Sequence, residues 1–182
     1  MFVMSGMMKR GSPSGPTSPV TYYFNSWTDA PSNSNWANQD NMVDGDIDTD
    51  ANASHFIFVA FDIILDSNTC PGDDLGTITK VEIRAHGNEA SQSGIFSWYI
   101  DPIFVAGGGN GGNLDAENLS NEWSQWFDIT SAYNAPGTPE DPGAWEWSDV
   151  VALQIENRLT YSGSGPINNC LTSKVEVRVT FS

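Results

Sequence analysis

Two stretches of the sequence are near-copies of each other: Thr79-Lys80-Val81-Glu82-Ile83-Arg84-Ala85 and Ser173-Lys174-Val175-Glu176-Val177-Arg178-Val179. In both, charged residues alternate with apolar residues, which is the period of a strand that buries one face. We therefore expect Val81, Ile83, Val175 and Val177 to face a core and the charged residues to lie outside. Four of the seven cations of the chain lie here, and we expect cross-strand pairs with glutamate rather than a binding patch.

Outward from these stretches, similar strand patterns return along most of the chain. Apolar, β-branched and aromatic runs, bounded by Gly, Asn, Asp and Pro, are typical of strands. The predicted strands cover residues 20–27, 55–65, 78–86, 95–104, 122–128, 153–161 and 174–181. Almost no helix is predicted. The sequence therefore indicates an all-β protein with one antiparallel β-sandwich domain over residues 21–182.

Composition narrows the possible partners. A chain of 182 residues is long enough for one domain with a sizeable core. Its 23 acidic residues against 7 basic ones give a net charge of −16. This charge argues against binding to nucleic acid and against adhesion to anionic membranes, because both need positive charge on the protein. No apolar run approaches the length of a membrane span.

Residues 1–20 differ in composition from the rest, being rich in Met, Gly, Ser and Pro without an amphipathic pattern. Alone, such a segment buries too little apolar surface to offset its ordering entropy. We predict an extended N-terminal arm that a partner orders, for example by adding a strand to the sheet edge of a neighbouring subunit. Lys9 and Arg10 follow the apolar residues, which is not the order of a signal peptide.

An acidic loop at residues 41–54 runs into an apolar strand. Asp44, Asp46, Asp48 and Asp50 stand at alternate positions, where their carboxylates repel one another. A hard cation bound through oxygen ligands would relieve this repulsion, so the loop predicts a calcium site made of these four residues. The spacing is not that of an EF-hand. The alternative is a solvated acidic turn whose side chains cap their own backbone.

Two cysteines, Cys70 and Cys170, invite a disulfide. Cys70 follows one predicted strand and Cys170 precedes another, so close antiparallel strands would place both thiols at the same end of the sheet. A bridge would close a loop of about 100 residues and stabilise by roughly 4–5 kcal/mol in the chain-entropy model. It would favour an extracellular or virion setting. The alternative is a pair of buried thiols.

Tryptophans divide into two groups by position. Trp98 and Trp126 lie within strand patterns and are expected in the core. Alternation places Trp145 and Trp147 on one side of an extended segment, where they, with Trp36, would form a stacking platform for a sugar ring. The alternative for Trp145 and Trp147 is that they close the end of the sandwich with large apolar groups.

Two longer segments carry a resemblance to known families. Residues 145–155, followed by residues 170–179, resemble the end of a β-sandwich domain common in phage virion and environmental viral proteins, in which an aromatic-rich turn leads to a strand. In residues 145–151 we also expect one helical turn capped by Ser148. Asp44-Gly45-Asp46, with residues 76–84, resembles the order in jelly-roll carbohydrate-binding and discoidin-like modules. The resemblance implies a jelly-roll sandwich.

Enzyme chemistry finds little support in the sequence. His55 and His86 have no Cys or third His at metal-ligand spacing, and Gly163-Ser164-Gly165 lacks the spacing of a nucleophile elbow. We therefore expect no enzyme. The sequence is best interpreted as a structural subunit of a virion or another extracellular particle or filament, which contacts copies of itself or other particle proteins. The alternative is a non-catalytic carbohydrate-binding module whose partners are glycans.

Overall fold

The computed structural model describes residues 18–29, 36–53, 60–89, 95–104, 114–116, 119–139, 141–162 and 170–182. Within these ranges the chain is mostly antiparallel strand, as predicted. The strands are β1 (Val20–Asp29), β2 (Trp36–Ala37), β3 (Ala51–Ala53), β4 (Ala60–Asn68), β5 (Ile78–Glu89), β6 (Ile95–Ile103), β7 (Ser120–Trp123), β8 (Phe127–Asp128), β9 (Gln154–Ser162) and β10 (Cys170–Phe181). The helices are the 3-10 helix Gln39–Met42 and α1 (Trp147–Ala152). No helix in the described part of the chain is both long and apolar enough to cross a membrane.

The strands form two sheets that share one strand. In the first sheet, β10 pairs with β5 on one side and with β1 and β3 on the other, while β2 pairs with β3, and β7 and β8 pair with β5. In the second sheet the order is β1-β4-β9-β6. Residues 20–23 of β1 pair with β10, and residues 24–29 pair with β4 after register shifts between Phe24 and Trp27. A bulge bends and twists a strand, so β1 can pass from one sheet to the other.

The two near-copies of the sequence pair with each other. In the antiparallel register of β5 and β10, Val177 lies opposite Ile83, Glu176 opposite Arg84 and Arg178 opposite Glu82. Because the copies run in opposite directions, each glutamate meets an arginine of the other copy. The side chains predicted to face the core are fully buried, which confirms the alternation: Val81, Ile83, Val175 and Val177.

The sheets pack face to face over one core. Trp98 of β6 is fully buried, and its ring reaches the backbone of β5 at Gly87. Its Nε1 donates a hydrogen bond to Oδ1 of Asn157 in β9 at 2.7 Å, and Asn157 Nδ2 donates to Oγ1 of Thr172 in β10 at 3.3 Å. The polar groups at the centre are thus satisfied across the two sheets. The expectation that Trp98 belongs to the core is confirmed.

Predicted and observed strands agree closely for the longer strands, but the short strands β2 and β3 were not predicted and one predicted strand is divided. The strand predicted over residues 122–128 is two short strands, β7 and β8. Between them, the side chain of Ser124 takes the place of a backbone acceptor in the pairing with β5. Its backbone N–H donates to Ala85 O at 2.8 Å, and its Oγ accepts from Ala85 N–H at 3.1 Å. The strand predicted from residue 55 is described from Ala60 onward, and residues 54–59 lie outside the described ranges.

Most of the predicted arm, residues 1–17, lies outside the described residues. The part that is described is attached to the end of β10, where Phe181 N–H donates to Ser18 Oγ at 2.9 Å. Val20 opens β1 opposite Val179. The described chain therefore enters the sandwich beside its C-terminal residues.

Candidate functional site

A cleft of about 560 Å³ opens at the end of the sandwich where β10 finishes. Two segments far apart in sequence form its walls: the loop between β4 and β5, and the entry to α1. Ligand pockets in proteins commonly have volumes of about 300–1,000 Å³. The residues that line it are Asp74, Gly76, Thr77, Trp145, Glu146, Trp147 and Ser148.

The first wall is a tight turn held by the end of the chain. Asp74 Oδ1 accepts a hydrogen bond from Gly76 N–H at 2.9 Å, as in an Asx-turn. Gly76 has φ +130°, and a Cβ there would lie 2.5 Å from Ser182 O, so only glycine fits. Thr77 and Ser182 exchange two backbone hydrogen bonds of 3.0 Å each. The loop is therefore fixed to the C-terminal residues.

The second wall is the N-terminus of α1, which carries a reciprocal cap. Glu146 is the N-cap residue, its side chain accepts from the backbone of Asp149, and Asp149 Oδ2 accepts from Glu146 N–H at 2.8 Å. This arrangement satisfies backbone donors that a helix start leaves unpaired. The short helix confirms the predicted helical turn, but the cap is Glu146 and not Ser148.

Trp145 and Trp147 are the buried floor of the cleft rather than an open platform, with 8% and 6% of their surface exposed. Trp147 Nε1 donates to Gly76 O at 2.9 Å, which joins the two walls, and its ring packs edge-on against Phe181 at 5.4 Å. Trp145 Nε1 donates to Thr130 O at 3.0 Å. The cleft thus offers indole edges and the acidic or hydroxyl groups of its rim. No lysine or arginine lines it among the described residues.

Trp36, the third residue of the predicted sugar platform, lies elsewhere. It is buried in β2 opposite Ala53, and Ala53 lies opposite Cys170 at the start of β10. Trp147 instead packs against Phe181 at the end of β10. Eleven residues of strand separate these positions, roughly 36 Å at the usual rise per residue. The structure therefore does not bring the three tryptophans together.

The acidic loop is a succession of self-capping turns. Asp44 Oδ1 accepts from Asp46 N–H at 2.8 Å, Asp46 Oδ1 accepts from Asp48 N–H at 2.9 Å, and Asp44 Oδ2 accepts from Thr49 Oγ1 at 2.7 Å. The carboxylate of Asp50 instead accepts a hydrogen bond from the hydroxyl group of Ser173. Among the described residues no three His, Cys, Asp or Glu side chains form a group that could hold a metal ion. This geometry matches the alternative of an acidic turn that caps its own backbone.

The two cysteines are both buried and are not bonded to each other. Cys170 opens β10, whereas Cys70 contacts Tyr22, which pairs with Val177 near the other end of that strand. Seven residues of strand, roughly 23 Å, separate Cys170 from that position, and a disulfide needs Cα atoms within about 7 Å. The expectation that the thiols share one end of the sheet is wrong. Burial raises the pKa of the Cys70 thiol.

The outer side of the first sheet carries a charged and aromatic surface that the sequence only partly predicted. Arg178 of β10 pairs with Glu82 of β5 at 2.8 Å, which confirms the expected cross-strand pairing, and Lys80 pairs with the same glutamate along β5 itself at 2.6 Å. The guanidinium carbon of Arg178 lies 4.1 Å from the ring centroid of Trp126. Trp126 therefore packs against arginine side chains on the outer side of the sheet. The prediction that Trp126 belongs to the core is wrong. We call this surface the arginine face; it consists of Lys80, Glu82, Arg84, Trp123, Trp126, Glu176 and Arg178.

The outer side of the second sheet holds a buried cluster of charges that sequence reasoning missed. Arg158 Nη2 lies 3.0 Å from Oδ2 of Asp101, whose side chain is fully buried, and Asp62 is opposite Arg158 in the register. Burial raises the pKa of neighbouring Glu156; Arg158 opposes this rise, and Asp62 and Asp101 add to it. The available signal was charge at outward positions of three strands. The sequence did not show that these three strands are neighbours in the sheet.

His86 is buried between the first residues of β10 and the aromatic cover of the first sheet. Its Nδ1 lies 3.1 Å from Ser173 Oγ, and its ring packs edge-on against Trp123 at 5.1 Å. Burial lowers the pKa of His86, and Arg84 lowers it further, while Asp50 opposes the change. The neutral imidazole is therefore the favoured form here. His55 lies outside the described residues.

Comparison with known proteins adds no relative. The chain matches no model of a known protein family, and no curated protein matches it. The virion-type and discoidin-like resemblances of the sequence therefore stay predictions.

Proposed function

We propose that the protein is a non-catalytic assembly subunit of a virion or another extracellular particle, joined to neighbouring copies through the N-terminal arm. The observation that carries the proposal is that the described chain begins beside the end of β10, where Phe181 N–H donates to Ser18 Oγ at 2.9 Å. β1 begins at Val20 and already has partners in β10 and β4. Residues 1–17 therefore join the sandwich at the end of β10, where β1 begins.

The composition of residues 1–17 supports the same proposal. Six of them are large and apolar: Met1, Phe2, Val3, Met4, Met7 and Met8. The arm carries Lys9 and Arg10 and no acidic residue, whereas the chain as a whole has a net charge of −16. Attraction between a basic arm and an acidic domain favours association between copies.

The strand order supports the finer proposal of a jelly-roll sandwich. From β4 onward the chain alternates between the sheets: β4, β6 and β9 belong to the second sheet, while β5, the short strands β7 and β8, and β10 belong to the first. A jelly roll is built from two facing sheets linked in this crossing manner. Shell and lectin domains both use this fold, so it is compatible with either candidate function.

Removing the arm tests the assembly proposal. Sedimentation velocity and electron microscopy of the full chain should show ordered oligomers, rings, shells or filaments. A chain of residues 18–182 should remain a monomer with the same far-ultraviolet circular dichroism, which reports that the sheets still form. Assembly of the shortened chain to the same extent as the full chain would refute the role of the arm.

The second candidate function is carbohydrate binding, and the cleft favours it. Its volume of about 560 Å³ suits a small ligand, and it combines the two indoles of its floor with the hydroxyls of Thr77 and Ser148. A glycan array tests this candidate, with Ser148→Ala as the matched variant, which removes one hydroxyl of the cleft and leaves the hydrogen bond between Trp147 and Gly76 in place. Specific glycan signals that weaken in the variant, from a protein that stays monomeric, would favour this function over assembly.

A further inference from the structure

We propose that the cleft is the receptor for the N-terminal arm of a neighbouring copy, so that two copies exchange arms. This inference rests on the proposed assembly function and adds where the arm binds. The occupant is residues 1–17 of the second copy, and the receiving residues are those of the cleft: Asp74, Gly76, Thr77, Trp145, Glu146, Trp147 and Ser148.

The start of the arm and the cleft lie at the same end of the sandwich. Phe181 connects them, because its N–H donates to Ser18 Oγ at 2.9 Å while its ring packs against Trp147 at 5.4 Å. Two copies related by a twofold axis at this end would each extend an arm toward the cleft of the other. A twofold contact is self-complementary, so both arms would bind in the same way.

The length of the arm favours exchange over binding within one chain. Lys9 is nine residues before Ser18, so an extended chain places it roughly 30 Å away at about 3.3 Å per residue. The chain's own cleft is only one residue, Phe181, removed from Ser18. Since an extended arm would carry Lys9 beyond the chain's own cleft, the proposal assigns it to the cleft of another copy.

The chemistry of the arm complements that of the cleft. Methionine side chains are flexible and make favourable contacts between sulfur and aromatic rings, which suits a floor made by Trp145 and Trp147. The acidic groups on the rim, Asp74 and Glu146, are opposite in charge to Lys9 and Arg10. The Asp74 and Glu146 side chains accept hydrogen bonds from their own turns, so they are held at the rim before any partner arrives.

A double-mutant cycle in the full chain tests the contact between arm and rim. K9E/R10E reverses the arm charge, and D74N/E146Q neutralises the rim while keeping oxygen acceptors for both turns. Each pair should weaken the apparent dissociation constant of the oligomer by about tenfold, and the four changes together should cost little more than either pair. The control pair D29N/E122Q removes two exposed charges at the other end of β1 and on β7. K9E/R10E should keep its full effect in that background.

Photo-cross-linking identifies the receptor directly. With benzoylphenylalanine in place of Met8, which adjoins Lys9, the full chain should give a covalent dimer whose cross-linked peptide contains residues 145–148. A cross-link to that peptide within one chain, or additive effects in the cycle, would overturn the exchange. Loss of assembly in K9E/R10E with no response to D74N/E146Q would overturn the receptor but leave the assembly function standing. A full chain that is monomeric at every concentration would overturn both.

Discussion

Arg84 of β5 donates two hydrogen bonds to a single carboxylate oxygen of Glu176 in β10, from Nε at 3.0 Å and from Nη2 at 2.7 Å. The guanidinium carbon of Arg84 also lies 3.8 Å from the ring centroid of Trp123 and 4.2 Å from that of Trp126. An ion pair on the outer face of a sheet is usually exposed and weak. Here the aromatic cover leaves only 25% of the Arg84 side chain and 11% of the Glu176 side chain accessible.

The first prediction is that Arg84 and Glu176 are energetically coupled. In a cycle of R84A, E176A and the double variant, the coupling free energy should be about 1–2 kcal/mol, above the usual range for exposed pairs. Urea unfolding at pH 7 measures it. The control pair Lys80 and Asp128 is 3.8 Å apart and more exposed, so its coupling should be close to zero. Equal coupling in the two pairs would contradict the role of the aromatic cover.

The second prediction concerns acid stability and Glu82. Burial alone would raise the pKa of Glu82, but hydrogen bonds and charge from Lys80 and Arg178 outweigh it and place the pKa below the ordinary 4.5. The carboxyl group of Glu82 therefore loses its proton more readily in the folded state than in the unfolded state. Its contribution is complete above pH 4.5 and is lost as the pH falls through the folded pKa.

Unfolding free energies of E82Q and the natural sequence between pH 7 and pH 3 measure this contribution. E82Q should be less stable at pH 7, and the difference should shrink below pH 4.5. E122Q removes an exposed carboxylate of β7 and should follow the natural curve. If the difference in unfolding free energy between E82Q and the natural sequence does not change with pH, the contribution of Glu82 is not linked to its protonation.

The third prediction is that Gly87 cannot be replaced. A methyl group there would overlap the carbonyl oxygen of Leu171 and approach Trp98 Cη2 to 2.7 Å. Both neighbours are held in sheets, so G87A should cost about 3 kcal/mol or more in the free energy of unfolding. G143A is the matched control, because a methyl group there would lie 3.5 Å from Asp141 Oδ1, an ordinary contact. A melting temperature for G87A equal to that of G143A would contradict the close approach of the sheets.

The fourth prediction is that both cysteines are thiols. Unfolded in guanidinium chloride without reductant, each chain should release two equivalents of thionitrobenzoate from Ellman's reagent. In the native state the reaction should be slow, because both residues are buried and burial raises the pKa of Cys70. C70S and C170S should each lower the count by one. A count of zero in the unfolded natural sequence would reveal a bridge.

Calcium at the acidic loop stays a prediction, and it is the fifth. If Asp44, Asp46, Asp48 and Asp50 rearrange to bind Ca²⁺, the ion should stabilise the fold by about 2.7 kcal/mol at a hundred times its dissociation constant. Melting curves at matched ionic strength, with CaCl₂ against NaCl plus chelator, measure this effect. D46N/D48N should remove it. If the natural sequence gives identical melting curves in CaCl₂ and in NaCl plus chelator, the loop does not bind calcium and its carboxylates only cap their own backbone.

Much of the fold could be predicted because it depends on local alternation. The near-copies at residues 79–85 and 173–179 show the buried face directly, and their antiparallel pairing was also available, since only that direction sets each Glu opposite an Arg. The position of Trp126 was not predictable in this way. Alternation suggests that a residue faces a core but does not identify which side of the sheet the neighbouring arginines occupy.

The candidate site depends on contacts between segments that are distant in the sequence. For that reason the sequence predicted the tryptophans of the site but not the cleft that they form with the loop between β4 and β5. Trp145 and Trp147 were identified as residues at an end of the sandwich. Their neighbours Gly76 and Thr77 precede them by about seventy residues and have no pattern that indicates a wall of a cleft. The charge cluster around Arg158 was missed for the same reason, because its members come from three strands.

Because β1 pairs with strands of both sheets, a force applied to the arm would act on both sheets. Tension applied at Ser18 along the strand would pull residues 20–23 against β10 and residues 24–29 against β4. In antiparallel ladders the hydrogen bonds lie perpendicular to the strands, so a pull along β1 loads many of them together instead of opening them one after another. A shell or filament linked through such arms would transmit force into both layers of every subunit.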